Sequence, residues 1–199
     1  MTPVDPLAFR SDRLPLEHFD ERFSADNVAF WVPLLVSGAR IGSGQRVLDV
    51  GCGTGGFAGA IAERCAARVT GLDASARFIR HAAGVDERVE WLVGNAEELP
   101  FEDKSFDSAL LSLVLHQLAR PERAVAEAFR VLRGGGRVLV RTIAPEDAVE
   151  RVPERYLPSM AAADAARMPA VSTIEAWLAR AGSLRTRRRR KPICGSSRT

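Results

Sequence analysis

Cysteine is scarce. Cys52, Cys65 and Cys194 are the only three in 199 residues, and none sits in a CxxC or CxxH spacing. So scattered a set excludes a disulfide scaffold and a structural zinc site, and it fits a reducing compartment; a cytoplasmic location and no bound metal are expected. No run of about 18 apolar residues occurs, so no transmembrane helix and no membrane partner are expected. The opening stretch, Met1 to Arg13, has acids and prolines but no apolar h-region, and does not read as a signal peptide. Aromatic residues are only 7%, yet hydrophobic residues make up 46% and charged residues 27%. That balance is neither collagen-like nor disordered. The length suits one α/β domain, with or without a short appendage, and a core that needs no staples.

Positive charge is concentrated at one end. The chain carries a formal +3, but residues 185–199 hold seven basic residues and no acid, so residues 1–184 sum to −4. The body is mildly acidic, and nucleic acid is not the expected partner. No aromatic residue interleaves the Arg187–Lys191 run, which reads as a solvated tail or an aberrant end rather than a nucleic-acid arm.

Short apolar runs alternate with helical patterns. Residues 1–15, with Pro3, Pro6 and Pro15, read as an irregular arm. Leu16 to Phe23 and Asn27 to Gly38 read as helices, the second with Pro33 as a possible kink point. Strands are expected at 46–50, 68–73, 89–93, 106–111 and 137–143. Helices are expected at 55–67, 75–83 and 121–132, with Ser75 as an N-cap and Pro121 in the first turn. The proline-broken 144–170 segment reads as helical pieces, followed by a helix over 173–181. Short buried strands alternating with helices predict an open α/β/α sheet of three layers with mostly parallel strands. Ligands in such sheets bind at the carboxyl ends of the strands, near the switch in strand order.

Val47-Leu-Asp-Val-Gly-Cys-Gly-Thr-Gly-Gly56 joins the first strand to its helix. Its spacing satisfies G-x-G-x-G at 51, 53 and 55, and also the dinucleotide pattern at 51, 53 and 56. Asp73, at the end of the second strand, suits ribose hydroxyls under either reading. Asp49 inside the strand end opposes a pyrophosphate but suits a cationic ligand.

With VTGLDAS, GNAEELPFEDKSFDSALLSLVLHQL and AFRVLRGGGRVLVRT following in order over 45–143, the chain resembles the class I S-adenosylmethionine-dependent methyltransferases, within their type 11 small-molecule group. The resemblance implies a Rossmann-like methyltransferase fold, S-adenosylmethionine as cofactor and a small-molecule acceptor. It implies that Gly51, Cys52, Gly53, Thr54 and Gly55 meet the cofactor by their backbone, with Asp49 at its cationic end and Asp73 on the ribose. Ala74, with Phe78, would border the adenine. Asn95, where the family usually has Asp, would accept from the adenine amine, with Ala96 donating from its backbone and Glu97 adjacent. Leu111 and Ser112 would meet the amino-acid end. The family ends its sheet with two further strands, but Ser183 to Thr199 lacks the apolar alternation for them. An incomplete sheet with an exposed edge, open to homodimer pairing, is expected. The implied division is a helical cap at 1–40, the methyltransferase domain at 41–184 and a basic tail at 185–199.

Methyl transfer from a sulfonium needs alignment first, and a base only when the acceptor must lose a proton. His116 is the candidate base; the competing reading is a packed or capping histidine. His18 is a weaker candidate, and His81 reads as surface. Cys52 reads as a small turn residue, not a nucleophile. Phe19, Phe23, Phe30 and Trp31 either roof the acceptor pocket or fasten the first helices. Glu102, Asp103 and Asp107 do not have the look of a hard-metal site. Two other readings stay open: a cofactor-binding module without catalysis, and an NAD(P)-dependent oxidoreductase.

Overall fold

The computed structural model describes residues 16, 23–142 and 167–182. Five strands, β1 (Arg46–Val50), β2 (Arg68–Asp73), β3 (Glu90–Val93), β4 (Phe106–Ser112) and β5 (Leu132–Arg141), form one sheet in the order β3-β2-β1-β4-β5. Every neighbouring pair is parallel. The helices are α1 (Ala25–Ala39), α2 (Gly56–Cys65), α3 (Ala76–Val85), α4 (Pro121–Arg130) and α5 (Val171–Ala181). The chain runs outward from β1 to β3 and then returns to place β4 on the other side of β1, so the switch in strand order lies between β1 and β4.

Alternation along β1 explains the layers. Leu48 and Val50 join a core with Val125 of α4 and Ile174 of α5. Val47 joins the opposite core with Leu35 of α1 and Ile61 of α2. Successive side chains leave a strand on opposite faces, so a central parallel strand must be apolar on both. The helix starts follow local chemistry. The Ser24 hydroxyl accepts from the Asn27 N–H (3.5 Å) and the Ser75 hydroxyl from the Phe78 N–H (3.3 Å). Pro121 occupies the first turn of α4, where its missing N–H costs nothing. Pro33 lies inside α1, which continues past it.

Two polar contacts tie the strands together at the end opposite the glycine loop. Asp107 accepts from the Arg46 backbone N–H (2.8 Å) and from the Arg133 guanidinium (3.1 Å), linking β1, β4 and β5. The buried Ser108 hydroxyl donates to the Ala39 carbonyl (3.0 Å), fixing the end of α1 on β4.

The region around Gly134-Gly-Gly136 departs from expectation. Helix α4 stops at Arg130 rather than at 132, and β5 begins at Leu132 rather than at 137. Phe106 pairs with Leu132, but Ser108 pairs with Arg137, so the glycines form an irregularity within the strand. A Cβ on Gly136 would come within 2.9 Å of the Arg133 carbonyl oxygen and 3.0 Å of that of Asp107. The close backbone approach is why glycines, rather than a loop, resolve the register. Most of the helix expected over 16–23, the pieces within 144–166, the strands expected beyond β5 and the basic tail lie outside the described residues.

Gly71 of β2 is backed by Trp91, whose ring carbons would lie 2.5 and 2.6 Å from an added Cβ. Gly71→Ala should therefore cost about 1–3 kcal/mol through overpacking. Gly42→Ala, where nothing lies within 4 Å, should stay within about 0.5 kcal/mol of the parent. Urea unfolding of both variants checks the contrast.

Candidate active site

The carboxyl ends of β1, β2, β4 and β5 converge on one cleft. Asp49 and the loop Gly51–Thr54 line it from β1, and Asp73 from the end of β2. Ser112, Leu113, Val114 and Gln117 line it from β4 and the turn beyond, Arg141 from the end of β5, and Phe23, Phe57 and Phe78 from the flanks. A wider depression of about 500 Å³ lies at the other end of the sheet, lined by Arg46, Arg68, Arg88 and neighbours. Its arginines are exposed, and Arg88 is already paired with Asp86 (2.7 Å) and Glu63 (3.6 Å). Its buried polar side chain, Thr70, is already bonded to Glu90 (3.0 Å).

Three glycines of the loop are left-handed, for different reasons. Gly51 (φ +72°) lies against Val114, whose Cγ2 would be 2.4 Å from an added Cβ. Gly55 (φ +88°) lies against Trp91 and begins α2. Gly53 (φ +58°) has nothing within 4 Å of where a Cβ would be, so its face is open to the cleft. The Gly53 N–H donates to Asp73 Oδ2 (2.9 Å), and the Ser75 N–H donates to Asp73 Oδ1 (2.9 Å). The Gly51 and Cys52 N–H groups both donate to the Leu72 carbonyl (2.7 and 3.1 Å). The loop is thus held by β2.

Asp49 is 3% exposed, and burial pushes its carboxyl up to about 7; Arg141 pulls it down, and the negative charge of Asp73 adds to the rise. Burial, reinforced by the charges of Asp49 and Asp73, raises the Cys52 thiol far above its ordinary value. Cys52 is accordingly a protonated, buried turn residue and a poor nucleophile. Thr54 is 5% exposed, and its hydroxyl has no hydrogen-bond partner among the described residues.

The remaining expected residues, Ala74, Asn95, Ala96, Glu97, Leu111 and His116, are not among those that line the cleft. Leu111 is fully buried in the core, and Ala96 is buried beside it in the same cluster. Ala74 is exposed after β2. The Asn95 side-chain oxygen accepts from the Glu97 N–H (2.9 Å), which shapes the turn after β3. Glu97, 6% exposed, accepts from the Arg120 N–H (2.8 Å) and guanidinium (2.9 Å). Burial opposes its charge, but these bonds hold its carboxyl below the ordinary value. Its visible work is to fasten the β3–β4 connection to the start of α4. His116 sits half-buried on a 3-10 turn, Leu115–Gln117, and does not line the cleft, although Val114 and Gln117 on either side do.

Residues 48–140 match a protein-family model described as a methyltransferase domain. Over that stretch the chain is similar to the methyltransferase-domain family. It is 33% identical over 123 residues to the ubiquinone/menaquinone biosynthesis C-methyltransferase UbiE of Roseobacter denitrificans, covering 57% of this chain and 49% of that protein. The UbiE of Dinoroseobacter shibae is 41% identical over 103 residues, with 48% and 41% covered. The chain spans about half the length of these curated relatives, or less. Among solved structures, the [4+2]-cyclase SpnF superposes with a TM-score of 0.64 at 30% identity, covering 76% of this chain and 56% of that one. An S-adenosylmethionine-dependent methyltransferase from Aquifex aeolicus shares the fold at a TM-score of 0.68 and 16% identity, with 85% and 89% covered.

The cleft fits S-adenosylmethionine, the cofactor that the resemblance implies, on three counts. Gly53 leaves open the space a side chain would fill. Thr54 has a buried hydroxyl with bonding capacity to spare. Two carboxylates, Asp49 and Asp73, face a ligand that carries an ammonium, a sulfonium and a ribose diol. Sequence reasoning passed over Arg141, Val114 and Leu113. Leu113 has φ +57°, an unusual state for leucine, and its N–H donates to the Arg141 carbonyl (2.7 Å). An arginine closing the apolar run Val138-Leu-Val-Arg141 was the available signal for one of them.

Two predictions follow from this geometry. Gly53→Ala places a methyl group in the open cleft and should lower S-adenosylhomocysteine affinity at least tenfold in calorimetric titration. Its stability cost should be about 1–2 kcal/mol, the strain of a left-handed alanine. Gly51→Ala adds the clash with Val114 to that strain and should destabilise the fold further.

The second concerns pH. The Asp49 carboxyl is raised from 3.8 to about 7, so the folded state retains a proton that the unfolded chain has lost. Stability of the ligand-free protein should therefore fall as pH rises from about 4 to about 7. A cationic ligand favours the ionised carboxylate, so S-adenosylmethionine affinity should rise by up to about tenfold between pH 6 and 8, with proton release on binding. Asp49→Asn should flatten both profiles.

Proposed function

We propose that this chain transfers the methyl group of S-adenosylmethionine to a small-molecule acceptor by in-line displacement. The observation that carries the reading is the Asp73 carboxylate, which holds the open backbone of Gly53 beside the buried Asp49 in one cleft. When bound, the cofactor supplies a methyl carbon activated by positive sulfur. The protein's part is to hold, align and exclude water. Each Asp73 oxygen accepts one backbone N–H, and a carboxylate oxygen can accept from more than one donor, so the ribose hydroxyls would share it. Asp49 offers charge to the cationic end. Asn95 and Ala96 after β3 would serve the adenine, with Ala74 and Phe78 on its border. Ser112 and the backbone at Leu111 serve the amino-acid end.

The oxidoreductase reading loses ground to Asp49, because a buried carboxylate below the loop disfavours a pyrophosphate. A cofactor-binding module without transfer keeps one supporting observation. Among the described residues no imidazole lines the cleft. A methyl acceptor that is already nucleophilic needs none.

The test is binding followed by turnover. S-adenosylhomocysteine should raise the melting temperature where NADH does not. Asp73→Ala should cost about 2–4 kcal/mol of S-adenosylhomocysteine affinity, through the lost acceptor and the released Gly53 loop. Formation of S-adenosylhomocysteine from S-adenosylmethionine across an acceptor panel completes it. Tight binding with no turnover on any acceptor would favour the binding module, and stabilisation by NADH alone would overturn both.

A further inference from the structure

Arg141 is the one cation among the described residues lining the cleft, beside the acids Asp49 and Asp73. It closes β5, opposite Ser112 in the β4–β5 register, and its Nε donates to the Ser112 hydroxyl (2.8 Å). The rings of Trp31 from α1 and Phe57 from α2 lie 4.5 and 4.7 Å from its guanidinium carbon. Two aromatic rings and a fixed Nε bond restrict the rotation of a side chain that is otherwise among the most mobile. A guanidinium fixed in this way has a defined plane, and all its remaining N–H groups lie in that plane, the geometry that matches a carboxylate.

Sheet order assigns this cation to one side of the cleft. The residues suited to the cofactor follow β1, β2 and β3, with Leu111 and Ser112 at the end of β4, whereas Arg141 ends β5, at the outer margin of the cleft next to Ser112. The cleft is otherwise acidic, so an anionic acceptor would be repelled by Asp49 and Asp73 unless a cation met it. The neighbouring surface is aromatic, with Phe23 at the cleft and Phe30 edge-on to Trp31 and 40% exposed.

We propose that Arg141 is a specificity residue that receives the negative charge of the methyl acceptor, and that the acceptor is an aromatic or apolar acid bearing a carboxylate. The proposal rests on the methyltransferase reading for the word acceptor, but its test does not depend on turnover. An acid held by Arg141 arrives already ionised, which is consistent with a cleft that no imidazole lines among the described residues.

The probes are benzoate, phenylacetate and cinnamate, each against its uncharged amide, titrated calorimetrically at pH 8 into protein saturated with S-adenosylhomocysteine. The wild type should bind at least one carboxylate tenfold or more tightly than its amide. Arg141→Gln should reduce that ratio below twofold. Arg141→Lys, which keeps the charge but not the planar fork, should retain a ratio above threefold, and it serves as the informative variant if Arg141→Gln does not fold by thermal melting. Failure of the wild type to bind any of the three carboxylates, equal binding of acid and amide, or a preference that survives in Arg141→Gln would overturn the proposal. A tenfold loss of S-adenosylhomocysteine affinity in Arg141→Gln, with 5′-methylthioadenosine affinity unchanged, would assign the guanidinium to the cofactor's own carboxylate and overturn it as well. If the wild type fails to bind S-adenosylhomocysteine, the titrations are run without it. Discrimination of acid from amide that depends on Arg141 then leaves the anion site standing while the methyltransferase reading falls.

Discussion

The Asp73 carboxylate bridges two loops that belong to different strands. One oxygen takes the Gly53 N–H from the loop after β1, and the other takes the Ser75 N–H at the start of α3. Both donors are backbone groups at helix-entry turns, where N–H groups have no partner within the helix. A charged acceptor satisfies them more strongly than a neutral one would. The left-handed glycines, the open face at Gly53 and the approach of Asp49 all depend on this bridge keeping the loop close to β2. The same carboxylate adds to the rise of the Asp49 and Cys52 pKa values, so geometry and electrostatics of the cleft share one source.

The two ends of the sheet divide the labour. At the amino ends of the strands, Asp107 and Ser108 make structural bonds to neighbouring strand and helix backbone. At the carboxyl ends, a buried acid, an unsatisfied threonine hydroxyl and a left-handed leucine persist. Each of these is unfavourable for folding alone, and such costs gather where a ligand is bound. Arg141 belongs to that end: its charge partly offsets the burial of Asp49.

Much of this was legible in the residues. Strands β1 and β2 were placed to the residue, because short apolar runs bounded by Arg and Asp leave little freedom. The N-cap of α3 was readable from Ser75. The end of α4 and the start of β5 were not, because three consecutive glycines look like a loop, and only the pairing of Phe106 with Leu132 and of Ser108 with Arg137 reveals a strand irregularity. In the cleft, Asp49, Asp73 and the glycines were visible by type and spacing. That Gly51 and Gly55 serve packing while Gly53 faces open space could not be read, since it depends on Val114 and Trp91, distant in sequence. Arg141 was only half readable: an arginine closing an apolar run marks a strand end, but its place in the cleft shows only once the rings that flank it are known.

The connection from β3 to β4 is long, yet Arg130 of α4 holds it at several points. The guanidinium donates to the Leu99 and Phe101 carbonyls (3.0 and 2.8 Å), to Asp103 (2.8 Å) and to both oxygens of Glu127 (2.8 Å each), while the Leu99 N–H donates to Glu127 (2.9 Å). One side chain of α4, which shares a core with Ala96, Leu99 and Phe101, thereby adds long-range ties to the short-range turn bonds at Asn95. The turn at Asn95 and Ala96 begins the same connection. Its conformational entropy is surrendered when the chain folds, so the segment after β3 is set before any ligand could meet it.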